Sequence, residues 1–266
     1  MIGASERIRV ALSILYRVLV AIIVVGFLIA AWQFLVTYLR VPEILLPTPY
    51  SIYVAFLNAQ STLYYHTGLT TVEIVTGFII SALAGVSFGT AIAYSKILER
   101  ILYPIAILVK LTPAIAIAPL MTLWFGYGMT SKIVVVIIGS FFYVIVNTAL
   151  GLQSVDPALV DLMHSLAAPE IVIFFKVRLP SALPYVFSAL KLTITSCVIG
   201  ATVAEWVGSV KGLGGLALLA ASYHNTSLLF VAIIAVTALG IALFGLVALA
   251  ERILIPWRPR QQGAES

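Results

Sequence analysis

The run VLVAIIVVGFLIAAWQFLVTYL, Val18–Leu39, carries no charge and lies between Arg17 and Arg40. At 1.5 Å per residue such a helix is about 33 Å long, enough to cross a hydrocarbon core of roughly 30 Å. The pattern repeats along the chain. Ile74–Ser95, Leu111–Ser131, Ile133–Val155 and Ser227–Ala250 are also free of charge, and only Lys191 and Glu205 interrupt Leu183–Gly208. Continuous apolar runs disfavour β-barrel strands, which alternate over roughly ten residues. The sequence therefore predicts an all-α polytopic membrane protein with about six spans, near 18–39, 71–95, 101–127, 132–152, 183–208 and 227–250. One transmembrane domain, 18–252, joins an N-terminal segment, 1–17, to a tail, 253–266.

Composition agrees. Of 266 residues, 62% are hydrophobic and 9% charged, where a soluble domain has about 45–50% and about 25%. Fifteen basic and ten acidic side chains cannot cover a soluble surface of this size, so membrane lipid must cover most of it. The net charge of +5 then reads as topology and not as affinity for nucleic acid. The single cysteine, Cys197, excludes an internal disulfide framework and any multi-cysteine metal site.

With a cytoplasmic N-terminus, the inner segments hold Arg7, Arg9, Arg17, Lys96, Arg100, Lys176, Arg178, Arg252, Arg258 and Arg260. The outer segments hold only Arg40, Lys132 and Lys211, a positive-inside arrangement that places both termini in the cytoplasm. Trp124, Trp206 and Trp257 fall at span ends, as interfacial indoles do. The first apolar run exceeds the h-region of about 7–15 residues in a secretory signal, so it reads as an uncleaved span. Outside, 41–65 contains Pro42, Pro47 and Pro49 and predicts a short interfacial helix, while 212–226 predicts an apolar piece packed on protein.

The inner segment 153–182 is far longer than a turn. Asp156-Pro157 reads as an N-cap with proline at the first helical position. Leu159, Leu162, Met163 and Leu166 then form one apolar stripe. Pro169 opens a second short helix with Glu170 in its first turn and Lys176 and Arg178 in its last; Leu179-Pro180 is expected to end it. By its residues alone, this helix–turn–helix either rests on the membrane or the protein's own helices, or docks to a cytoplasmic partner.

Asp161–Pro184, DLMHSLAAPEIVIFFKVRLPSALP, resembles the cytoplasmic coupling loop of ABC importer permeases, the EAA loop. That pattern reads Glu-Ala-Ala, three residues, Gly, nine residues, Ile, any residue, Leu-Pro. Its positions fall on Asp161, Leu162, Met163, Ala167, Val177, Leu179 and Pro180. Asp161 keeps the charge, whereas Leu162 and Met163 are bulkier than alanine. Ala167 replaces a glycine that takes φ > 0 easily, so the turn either avoids that conformation or is strained. Thr112–Ile133 (TPAIAIAPLMTLWFGYGMTSKI), Phe141–Leu152 (FFYVIVNTALGL) and Ala201–Leu216 (ATVAEWVGSVKGLGGL) resemble permeases of the nitrate, sulfonate and taurine importer group. Glu73 departs from that group, which commonly has a basic residue there.

The resemblance implies a permease that makes no covalent bond. It pairs with a second permease copy, docks its coupling loop on cytoplasmic ATPase subunits that hold ATP and Mg, and receives solute from an external binding protein. The chain itself has no G-x-x-x-x-G-K-[ST] loop for ATP phosphates. Candidate pathway residues are Glu205, Lys110, Thr112 and Asn147. Glu205 lies three residues before a span end, a position that permits solvation, and its match to the family beside Gly208 and Gly212-Leu213-Gly214 implies either a pathway or gate residue or a merely solvated one. Lys110 either faces the pathway or, if 101–109 is interfacial, snorkels to headgroups; Pro104 and Pro113 leave helix continuity there open. Lys191 is expected to snorkel, and Thr112 and Asn147 line the pathway or bond between helices. His66, His164 and His224 share no metal-ligand spacing.

Two rival functions remain. A secondary ion-coupled transporter needs no ATPase and would show midplane ionisable groups or inverted repeats. An intramembrane enzyme would need a catalytic constellation, and no nucleophile–base pair is recognisable.

Overall fold

The computed structural model describes residues 4–208 and 210–257, and every regular element in them is helical. Arg258 and Arg260, and the side chains of Arg7, Arg9 and Arg17, lie outside the described residues. The chain runs α1 (Ala4–Tyr38), α2 (Pro49–Asn58), α3 (Gln60–Tyr94), α4 (Lys96–Leu111), α5 (Ala114–Phe125) and α6 (Met129–Gln153). It continues through α7 (Pro157–Ser165), α8 (Glu170–Ile173), a π-helical turn (Phe174–Arg178), α9 (Leu179–Gly208), α10 (Leu213–Ser222) and α11 (Thr226–Leu254). Five passages are long and apolar enough to cross a bilayer, and α4 and α5, bent by 98° at their junction, form either a broken sixth span or a re-entrant pair.

That bend corrects the expectation of one span over 101–127. Pro113 disfavours helical backbone in the residue before it, and Thr112 is extended, with φ −75° and ψ 121°. Pro104, by contrast, sits inside α4 without ending it. The 41–65 segment holds α2, capped by the Thr48 side chain, and then the first turns of α3.

The fold divides into two compact units. The smaller comprises the chain to residue 60 with residues 220–231. Within it, Ser227 Oγ donates to Glu43 Oε1 at 2.6 Å, Thr226 Oγ1 donates to the Ile44 carbonyl at 2.8 Å, and Trp32 lies 5.8 Å from the Phe230 ring.

The larger unit comprises 61–219 and 232 onward, and α6 is its centre. Helices α3 and α6 run parallel with a constant offset of 59 residues. Glu73 meets Lys132, Gly77 meets Val136, Ser81 bonds Ser140 at 2.9 Å, Gly85 meets Val144 and Gly89 meets Thr148. A small residue every four positions lets the backbones approach closely, the usual basis of helix pairing where lipid removes the hydrophobic drive. Helix α9 packs antiparallel on α6: Gly200 faces Val136, Ser196 donates to the Gly139 carbonyl at 3.0 Å, and Gly151 faces Ala182. Ile74, Val136, Ile194, Ala201 and the free thiol Cys197 close the core between these helices.

Candidate functional site

The loop after α6 begins as its sequence requires. Asp156 Oδ1 accepts from the Ala158 N–H at 2.9 Å, and Pro157 fills the first helical position. No residue of α7 is buried, and Leu159, Leu162 and Leu166 are at least half exposed. Its end is a tight reversal in which Ala168 N donates to Met163 O at 3.0 Å and Ala167 N to His164 O at 2.9 Å. This geometry needs a left-handed residue, and Ala167 supplies it at φ +54°, at about 1–2 kcal/mol for an L-residue. Of the two alternatives left by the sequence, the strained one holds. His164 Nε2 lies 2.8 Å from Glu170 Oε1 and clips α7 to α8.

Leu179-Pro180 does not end the second helix, contrary to expectation. Glu170–Gly208 is one continuous helical passage. Pro180 has no N–H for the Lys176 carbonyl, and its ring would crowd that carbonyl in regular α-geometry. The chain widens into the π-turn immediately before it, with Leu179 N donating to Phe174 O. Around this turn Tyr94 of α3 meets Arg178, whose guanidinium lies 5.3 Å from the ring centre, and Phe174, at 6.3 Å.

The structure brings together four of the seven candidate coupling residues. Leu162 and Met163 from α7 face Val177 and Pro180 across an open groove of about 450 Å³, which Lys176 and Trp257 also line. Asp161 and Ala167 lie on the exposed side of the loop, and Leu179 is half-buried.

At the other end of the larger unit lies a buried polar cluster. Lys132, assigned to an outer segment from sequence, is 3% exposed; its Nζ donates to Glu73 Oε1 at 2.9 Å and to the Lys211 carbonyl at 2.8 Å. Glu205 is fully buried, so the solvated alternative does not hold. Its Oε1 accepts from Thr70 Oγ1 at 2.6 Å, and its Oε2 accepts from the Gly214 N–H at the start of α10. Thr70 Oγ1 in turn accepts from Leu213 N at 2.8 Å, and His66 Nδ1 accepts from Gly212 N at 3.0 Å. The cluster thus satisfies the amide donors that open α10, which any helix leaves unpaired.

The remaining candidates fall apart from this cluster. Lys110 Nζ sits 4.2 Å from the centre of the Tyr143 ring. Thr112 is exposed at the α4–α5 bend and donates to its own helix at Leu108 O. Asn147 Nδ2 also bonds within its helix, to Tyr143 O at 2.8 Å, and not between helices. Lys191 does not snorkel; it pairs with Glu251 at 2.7 Å, joining α9 to α11. Sequence reasoning missed Thr70, Lys132 and Tyr143. The recurring four-residue spacing of small residues after Glu73 was the one signal that could have placed Lys132 on the α3 seam. Among the described residues, no group of three or more His, Cys, Asp or Glu could hold a metal ion.

A multi-pass helical membrane protein with an uncovered amphipathic loop between two central passages has the form of a transport permease. Residues 77–255 match the family described as "Binding-protein-dependent transport system inner membrane component", and the chain belongs to that family. It is 33% identical over 228 residues to a probable ABC transporter permease protein of Haemophilus influenzae, covering 86% of this chain and 93% of the relative. It is 32% identical to the formylaminopyrimidine transport permease protein ThiX of Halalkalibacterium halodurans, over 82% of this chain and 87% of the relative. Its fold is similar to a chain of the inward-facing MetNI methionine ABC transporter, with TM-score 0.56, 20% identity, and coverage of 74% of this chain and 94% of that one. The family sets aside the secondary-transporter reading and implies ATPase and binding-protein partners.

Proposed function

We propose that this chain is the pathway-forming permease subunit of an ATP-driven importer, and that α7 is the helix through which a cytoplasmic ATPase drives it. The uncovered apolar stripe of α7 carries this reading: a helix with no buried residue has its hydrophobic face free for a partner. Asp161, Leu162, Met163 and Ala167 present that surface, and Val177, Leu179 and Pro180 form the base that transmits its motion into α9. ATP and Mg belong to the partner ATPase. Its closure moves two docked loops as rigid bodies, and the spans alternate between inward-open and outward-open states.

In this arrangement both termini and α7 face the cytoplasm, lipid covers the exposed apolar flanks, and a second copy of the chain completes the pathway. An external binding protein delivers the solute: a nitrate-, sulfonate- or taurine-like anion, or a small organic molecule such as a vitamin precursor. The test is Asp161→Lys together with Leu162→Asp. Both variants are expected to insert normally, lose the co-purifying ATPase and lose ATP-dependent uptake. An ATPase retained at wild-type stoichiometry by both would overturn the assignment.

A further inference from the structure

Two lysines on the larger unit's helices are neutralised: Lys132 by Glu73 at 2.9 Å and Lys191 by Glu251 at 2.7 Å. Lys110 is different. No carboxylate among the described residues lies within salt-bridge distance of it, and its partner is the face of Tyr143. Tyr143 stands fourteen residues after Met129 and ten before Gln153 on α6. These separations are about 21 Å and 15 Å along the helix. The ammonium is therefore held against the middle of α6, away from both of its ends. An unpaired ammonium facing lipid there is costly, so such groups face water-filled space or a partner.

The chain's own helices leave the surface of α6 around Tyr143 partly uncovered. Its Val136, Ser140, Val144 and Thr148 face is closed by α3, whereas Tyr143, Asn147 and Leu150 lie on a side that is only partly covered. Tyr143 and Asn147 are half-buried, Leu150 is 49% exposed, and although the Gly139 carbonyl accepts from Ser196 of α9, nothing lies within 4 Å of where its Cβ would stand. A ring face attracts an ammonium through its quadrupole. Unlike a carboxylate, it does not neutralise the charge, so the ammonium can still bind an oxyanion through its N–H donors.

We propose that Lys110, steadied by Tyr143 and flanked by Asn147, forms an anion-binding site in the translocation pathway, and that the imported solute carries a sulfonate, carboxylate or comparable oxyanion. This rests on the importer reading and narrows its solute to the anionic class.

The test uses the complete importer, permease with its ATPase and binding protein, in phosphatidylcholine vesicles. The probes are ethanesulfonate and nitrate, with riboflavin as the uncharged comparison. ATP-dependent uptake of an anionic probe is expected, and Lys110→Met is expected to lower it at least about tenfold. Lys110→Arg and Tyr143→Phe keep the charge and the ring and retain most of the uptake. ATPase assembly, read by co-purification, stays intact in all three variants. Uptake of riboflavin with neither anion carried overturns the proposal, as does wild-type anion uptake by Lys110→Met. A Lys110→Met defect seen only when phosphatidylglycerol is present assigns the ammonium to a lipid phosphate and overturns it too. Loss of the ATPase from the unmodified permease would instead bring down the importer reading itself.

Discussion

Glu73 Oε1 accepts from Lys132 Nζ at 2.9 Å, with both side chains almost wholly buried and the second carboxylate oxygen, Oε2, without a hydrogen-bond partner among the described residues. The pair heads the parallel seam of α3 and α6, and Lys132 also reaches the carbonyl of Lys211 just before α10. One ammonium therefore ties together two spans and the segment that follows a third. Removing one member of a buried pair strands the other charge, whereas replacing both with apolar groups is close to neutral. Lys132→Met is expected to cost about 3–5 kcal/mol. The double variant Glu73→Leu, Lys132→Met should recover most of that, read as thermal unfolding midpoints in detergent. A double variant no more stable than Lys132→Met would show that the pair is not what matters at this position.

Below the ion pair the seam depends on small residues. A Cβ on Gly85 would collide with Val144, whose own backbone belongs to the central helix and cannot retreat without disturbing α9. Gly85→Val should destabilise the protein by about 1–3 kcal/mol, the range of overpacked cores. Gly26→Val, at a glycine with nothing within 4 Å, is the matched control and should fall within about 0.5 kcal/mol, as surface changes do. Equal losses at both sites would mean that close helix approach is not the cause.

The all-helical, multi-pass character was legible because charge-free runs and the bilayer thickness leave little choice, although the bend after Leu111 was not. The Asp156-Pro157 start of α7 was equally legible, because capping is local. The misreadings of Glu205 and Lys191 share a physical origin, since each depended on what a side chain meets across the bundle. Glu205 looks solvated from its distance to a span end, but α10 folds back and covers it. Lys191 looks like a snorkelling lysine until Glu251 is found sixty residues away. Counting charges near span ends says nothing of whether such a cation is paired, so the burial of Lys132 against Glu73 was not legible. The continuation through Leu179-Pro180 was hidden for another reason. Proline usually stops a helix, and the π-turn that absorbs it has no recognised local signature.

Ala167 allows a prediction in the stabilising direction. At φ +54° it carries strain that glycine does not. Ala167→Gly relieves about 1–2 kcal/mol of it, less the roughly 0.4–1 kcal/mol by which glycine loosens the unfolded chain. The net gain should slow amide exchange at Ala168, whose N–H closes the turn onto Met163. Ala167→Val should speed it, because a β-branched residue tolerates the left-handed region worst. The opposite order would mean that the turn is not in the left-handed conformation in solution.

Glu205 can be assigned to architecture or to the pathway by a further pair of variants. Its carboxylate occupies the space where a Cβ on Gly212 would lie, and Gly212 has φ +102°, so residue 212 must be glycine both for its conformation and for what stands beside it. If the carboxylate chiefly holds the start of α10, Gly212→Ala and Glu205→Gln should act alike. The amide introduced by Glu205→Gln would present one acceptor oxygen to the two donors, Thr70 Oγ1 and Gly214 N, and leave one unsatisfied at about 1–3 kcal/mol. Both variants should then free the exposed linker at Lys211, and tryptic cleavage there should accelerate about tenfold, the ratio that 1.4 kcal/mol of lost closure gives. A pathway role would separate the two variants. Glu205→Gln would change the KM for the solute with cleavage at Lys211 unchanged, while Gly212→Ala would accelerate cleavage alone. The hydrogen bonds from Thr70 and Gly214 to both oxygens of one carboxylate favour the first outcome.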